Sequence, residues 1–203
     1  MAVNIEIKKE LTEEEFTRIY HKFQKSIEKQ TDSRYLSKSF QELFKQVTPA
    51  KEVQLLLVSE PNKILKTITL EKNIAIDISS SKSILAQCYQ AKEALYFNDI
   101  SRNSDYNPDI DNFLAYPLKN LLLLPLLNID KEIEGIVWAG ISQKDFNQYT
   151  PSDIKYMTQV SVLSEKMTTE EEEHQEDSNQ KSNFYALTKL KSWTWNWKKK
   201  ESR

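Results

Sequence analysis

The apolar positions of this chain fall into two patterns, and each predicts a different kind of element. Residues 121–127 (LLLLPLL) and 136–141 (IVWAGI) are nearly unbroken apolar runs separated by a polar stretch, 128–134. Short apolar runs bounded by polar turns predict two adjacent strands at the centre of a sheet, covered on both faces. Elsewhere the apolar residues recur every three or four positions. Thr12 and Glu15 have the spacing of a capping box, and Phe16, Ile19, Tyr20, Phe23 and Ile27 follow as the stripe of an amphipathic helix. A second stripe, Tyr35, Leu36, Phe40, Leu43, Phe44 and Val47, runs up to Thr48 and Pro49. The break at 31–33 permits either a kinked continuation of the first helix or a new start. Near the far end, Thr150-Pro151-Ser152-Asp153 supplies an N-cap, a first-turn proline and a first-turn acid. Ile154, Met157, Val160, Leu163 and Met167 then predict a helix lying on the sheet.

Between these landmarks the elements are shorter. Residues 53–58 and 64–70 read as a hairpin about the turn Glu60-Pro61-Asn62-Lys63. The stretch 74–78 fits no single pattern. Ile84, Leu85 and Cys88 mark a short helix, and 94–97 a short strand ending at Asn98-Asp99. From 99 to 119 the sequence turns polar and irregular, which makes that segment a candidate lid or binding loop.

Composition narrows the function more than the fold. Only two glycines, Gly135 and Gly140, occur in 203 residues, so neither a phosphate-cradling loop nor a dinucleotide fingerprint can be built. Nor is there a nucleophile elbow, which needs a serine between spaced glycines. A net charge of -2 exerts no general pull on nucleic acid. One cysteine excludes an internal disulfide, no signal-like leader opens the chain, and no run reaches the ~20 apolar residues of a membrane span. The expectation is a cytoplasmic protein.

Candidate chemistry is sparse. Cys88 lies on the apolar stripe of its helix with no basic neighbour in sequence to activate it, and reads as a buried structural thiol. His21 and His174 have no metal-ligand spacing and read as solvated surface residues. Asp109 and Asp111 lack the glycine that a calcium loop requires, and read as loop solvation. No nucleophile, base and orienter can be named together. No metal, no cofactor and no catalytic residue is expected, and the chain reads as a non-enzyme.

The local strings, taken in order, resemble the GAF domain family. LYFNDI is similar to the family's strand-plus-aspartate, LLLLPLL to its strand with an internal proline, EGIVWAG to its glycine-opened strand, and YTPSDIKYMTQVSVL to its C-terminal helix. The resemblance covers residues 33–167. It implies an α+β fold: a central antiparallel sheet of five or six strands, with the N- and C-terminal helices on one face. On the other face it implies variable loops and, in sensing members, a small-molecule pocket. That would put Asp99, Tyr106 and Trp138 near a ligand beneath the 99–119 loop. The family's cyclic-nucleotide pattern is kept here only at Tyr149 and Asp153. Its methionine sulfoxide reductases need several cysteines, and its bilin-binding members a differently placed one.

Outside that span, residues 1–32 form an N-terminal helical extension. The acidic segment 168–183 is too poor in apolar residues to form a core and reads as a solvated linker. The tail 184–203 combines Trp193, Trp195 and Trp197 with Lys198, Lys199 and Lys200. Aromatic anchors beside a basic cluster suit docking to a protein, contact with an anionic membrane surface, or return to the chain's own domain, with nucleic acid last. The expected function is that of a non-enzymatic interaction or structural subunit of a larger assembly. Richness in Lys, Asn, Gln and Ile with almost no glycine suggests an AT-rich genome, as in some protists, where a large cytoskeletal or ciliary assembly would be a reasonable home, although the residues themselves do not show it. The alternative is a stand-alone small-molecule sensor that signals through a partner.

Overall fold

The computed structural model describes residues 10–27, 33–59, 64–67, 74–78, 82–128 and 130–162. Two helices, α1 (Glu13–Ile27) and α2 (Ser33–Val47), precede strands β1 (Glu52–Ser59), β2 (Ile64–Thr67) and β3 (Ala75–Asp77). Helix α3 (Ile84–Ala91) and strand β4 (Leu95–Asn98) follow. A 3-10 turn (Ile100–Arg102) and the one-turn helix α4 (Pro108–Asp111) come next, and then β5 (Leu118–Leu127), β6 (Ile133–Ser142) and α5 (Pro151–Val162). The strands form one antiparallel sheet in the order β3-β2-β1-β6-β5-β4.

The unbroken apolar runs become the paired strands β5 and β6, and their burial explains the lack of alternation. Leu122 and Leu124 enter one core, whereas Leu121 and Leu123 enter the other. Val137 and Ala139 likewise oppose Ile136 and Trp138 across the sheet. A strand with two dry faces needs apolar residues at every position. The first core is roofed by α1, α2 and α5 through Phe16, Phe23, Phe40, Phe44, Tyr156 and Met157. The second core lies under α3, α4 and the loops around them.

Local capping fixes the helix ends as the sequence implies. The Glu15 carboxylate accepts from the Thr12 N–H at 2.9 Å, while the Thr12 hydroxyl accepts from the Glu15 N–H at 3.2 Å. The same reciprocal pair joins Thr150 and Asp153 at the start of α5. The hairpin forms as expected, with Ser59 opposite Ile64. The stretch without a single pattern supplies the short edge strand β3. No helix among the described residues is long and apolar enough to cross a membrane.

Candidate functional site

The face under the 99–119 loop is where the sequence places a ligand, and there Trp138 packs against the chain's own residues. Trp138, in the middle of β6, is fully buried, and its indole Nε1 donates to the backbone carbonyl of Asp111 at 2.7 Å. Phe113 and Tyr116 meet the indole edge-on, with ring centroids 5.6 and 6.3 Å away. Gly140, two residues along the strand and on the same face, makes room for it. A Cβ there would stand 2.7 Å from the far edge of the indole ring, closer than real Cβ contacts come.

Asp111 holds this lid of aromatic residues to the rest of the face. Its carboxylate accepts the N–H groups of Ile84 (3.1 Å), Leu85 (2.8 Å) and Asn107 (2.8 Å). Two of those donors are first-turn amides of α3, which the helix itself leaves without partners. Ser83 caps the next one, accepting from Ala86 N–H at 3.1 Å. Asp111 is therefore not a solvated loop acid, as its polar surroundings in the sequence imply, but a fully buried one. Its neighbour Asp109 is exposed. The missed signal lay nearby: Asn107-Pro108 is a cap with a first-turn proline, and Ile110, Phe113 and Leu114 behind it have helical spacing. Burial raises the Asp111 carboxyl above its ordinary pKa, and the three N–H donors oppose that without cancelling it.

Asp99 and Tyr106 stand on the same loop in other roles. Asp99 adopts a left-handed conformation (φ 81°) and donates its N–H to the Asn120 side chain at 2.9 Å. Its carboxylate bonds the Ser101 hydroxyl and the Arg102 guanidinium, and both hold its pKa below the usual range. Tyr106 packs half-buried against the second core. Sequence reasoning also missed two asparagines that face each other across β4 and β5. Asn98 exchanges two hydrogen bonds with the Tyr149 backbone, and Asn120 donates to the Asn147 carbonyl at 2.9 Å. Together they tie the 143–150 connection to the sheet. Tyr149 is buried with its hydroxyl donating to the Ala139 carbonyl at 2.8 Å.

No protein-family model matches the sequence, and no curated protein matches it. Solved structures do. The free methionine-R-sulfoxide reductase of Neisseria meningitidis, in complex with its substrate, superposes with a TM-score of 0.61 at 14% identity, over 80% of this chain and 93% of that one. The GAF domain of an Acinetobacter phosphoenolpyruvate-protein phosphotransferase gives a TM-score of 0.61 at 8% identity, over 76% of this chain and 92% of its own. Residues 122 to 287 of a methyl-accepting chemotaxis protein give 0.56 at 16% identity, over 69% and 93%. The fold is that of a GAF domain. At these identities the likeness establishes architecture alone, and none of the three points to a cytoskeleton or cilium.

On the helical face of this GAF fold, a groove of about 630 Å³ runs between α1 and α5, lined chiefly by Phe16, Tyr20, Ile154, Lys155, Thr158 and Gln159. Its N-terminal end is tied together. The Tyr156 hydroxyl donates to the Leu11 carbonyl at 3.2 Å, Ser152 bonds Glu10, and Phe16 stacks on Tyr156 with centroids 4.4 Å apart. Cys88 is buried, as its place on the apolar stripe implies, and burial pushes its thiol pKa up to about 12. Among the described residues no three His, Cys, Asp or Glu side chains converge as metal ligands would. His174, Trp193, Trp195, Trp197, Lys198, Lys199 and Lys200 lie outside the described residues.

Proposed function

We propose that this chain is a non-enzymatic protein-interaction module. The GAF-like body of residues 33–167 is the rigid unit, the N-terminal extension 1–32 docks on it, and the linker 168–183 carries an attachment arm at 184–203. In that arm Trp193, Trp195 and Trp197 are the anchors, and Lys198, Lys199 and Lys200 select an acidic surface on the partner.

The observation that carries this reading is Trp138. The interior beneath the loop, where Asp99, Tyr106 and Trp138 would meet a ligand, holds an indole already satisfied by the Asp111 carbonyl. A ligand that takes the place of that indole leaves a buried acceptor without its donor, which costs about 1–3 kcal/mol before any contact is gained. The single thiol supports the absence of redox catalysis, since a buried group ionising near pH 12 supplies no thiolate at neutral pH.

The test compares the full-length protein with Trp193→Ala/Trp195→Ala/Trp197→Ala in gentle isolation from the native source, read by native mass spectrometry. The wild type is expected to carry a stoichiometric protein partner that the variant loses, while the body's stability changes by less than about 1 kcal/mol. Equal retention of the partner by both would sink the attachment arm. A co-purifying small molecule that raises the melting temperature with its concentration would replace this reading with the sensor.

A further inference from the structure

The α1/α5 groove is the largely apolar, outward-opening feature of the helical face, and the chain's own end is well placed to reach it. α5 forms one wall of the groove, and the described residues run along it as far as Val162. The segment 163–183 has 21 residues and is strongly acidic over 168–183. Thirty residues, 163–192, separate Val162 from Trp193, and a chain of that length can span more than the roughly 18 Å that the twelve residues of α5 rise. The arm is therefore long enough to return along the whole groove.

The chemistry of the two parts also matches. The floor offers the rings of Phe16 and Tyr20 and the side chain of Ile154, suited to one or two indoles that each bury roughly 150–250 Å². Beside its N-terminal end stand Glu10, Glu13 and Glu14, the acids of the entry to α1, with Glu13 only loosely paired to Lys155 at 3.9 Å. An arm of three tryptophans followed by three lysines presents apolar anchors to the floor and cations to that end.

We infer that, in the protein without a partner, the segment Trp193–Lys200 rests in the groove between α1 and α5, so that partner and groove compete for the same arm. The inference rests on that segment being the attachment arm and adds where it lies when nothing else holds it. The groove thereby covers one or two of the arm's indoles, and binding of a partner reopens it.

A single reactive thiol makes the test clean, because Cys88 is buried and ionises only near pH 12. Gln159→Cys, on the groove rim, is labelled with a nitroxide, which quenches tryptophan emission on contact; Glu132→Cys, in the β5–β6 turn, is the control. The full-length chain is used throughout. Trp138 is buried on the opposite face and supplies constant background, while the tail holds three of the four tryptophans. With the arm docked, the position-159 label should remove about half of the total tryptophan emission, since three of the four tryptophans are in the arm. The loss should be independent of protein concentration, partly relieved by salt, and reversed when ascorbate reduces the nitroxide. The control label should leave the emission unchanged. No quenching at 159, or equal quenching at both sites, would overturn the inference. Quenching that grows with protein concentration would also overturn it, by assigning the groove to a second copy. Loss of quenching with partner retention intact refutes the docking alone, whereas the reverse refutes the arm's external role.

Discussion

The carboxylate of Asp111 accepts three backbone N–H groups, and still burial leaves its pKa raised. The folded state therefore holds this proton to a higher pH than the unfolded chain, whose aspartate ionises near ~3.9. Its contribution to stability is full below that value and is lost as pH rises through the folded value. Asp111→Asn removes the titration. It also turns an amide N–H₂ toward backbone donors, at a cost of about 1–3 kcal/mol. Urea unfolding of both proteins from pH 3.5 upward should show the wild type's advantage shrinking as pH increases, with no change in the slope against urea. An advantage constant with pH would mean that the three N–H donors cancel the effect of burial. The same residue explains why its role was illegible in the sequence. The amides it caps lie 26 and 27 positions upstream, and only the folded sheet brings α4 beside α3.

At the scale of elements, α1 separates an extension from an integral part of the core. Its Phe16 is 4% exposed and stacks on both Tyr156 and Tyr20, with centroids 4.4 and 5.7 Å away. Truncating such a ring leaves a cavity that α5 and α1 cannot close, so Phe16→Ala should cost about 3–5 kcal/mol in equilibrium unfolding. A loss below about 1 kcal/mol would mark α1 as an appendage that the body does not need. The helices and central strands were legible because each carries its own period or cap: Thr12 with Glu15, Thr150 with Asp153, and the two dry runs of β5 and β6. The loop face was not. Its segment 99–119 gave no period long enough to read, and nothing near Trp138 in sequence announces its partner, the carbonyl of Asp111, 27 residues away. Asn98 and Asn120 were illegible for a similar reason, since a strand asparagine announces nothing until its partner loop is known.

For the whole molecule, the sheet makes two cores into one cooperative unit. β5 and β6 send alternate side chains to opposite faces, so neither core can melt while the other keeps those strands straight and paired. Leu122→Ala opens a cavity on the helical face and Leu123→Ala one on the loop face, each expected to cost about 2–5 kcal/mol. If the unit is single, each variant should lower the transition seen by both near- and far-ultraviolet circular dichroism, and the two probes should coincide in the wild type and in both variants. Near-ultraviolet signal from Trp138 disappearing before helical signal in Leu123→Ala would instead mean that the loop face opens by itself. That outcome would matter for function as well as for stability. A loop face able to open locally could release the indole from the Asp111 carbonyl and expose a site for a small molecule, whereas a face that melts only with the sheet confines recognition to the outer surface and the arm.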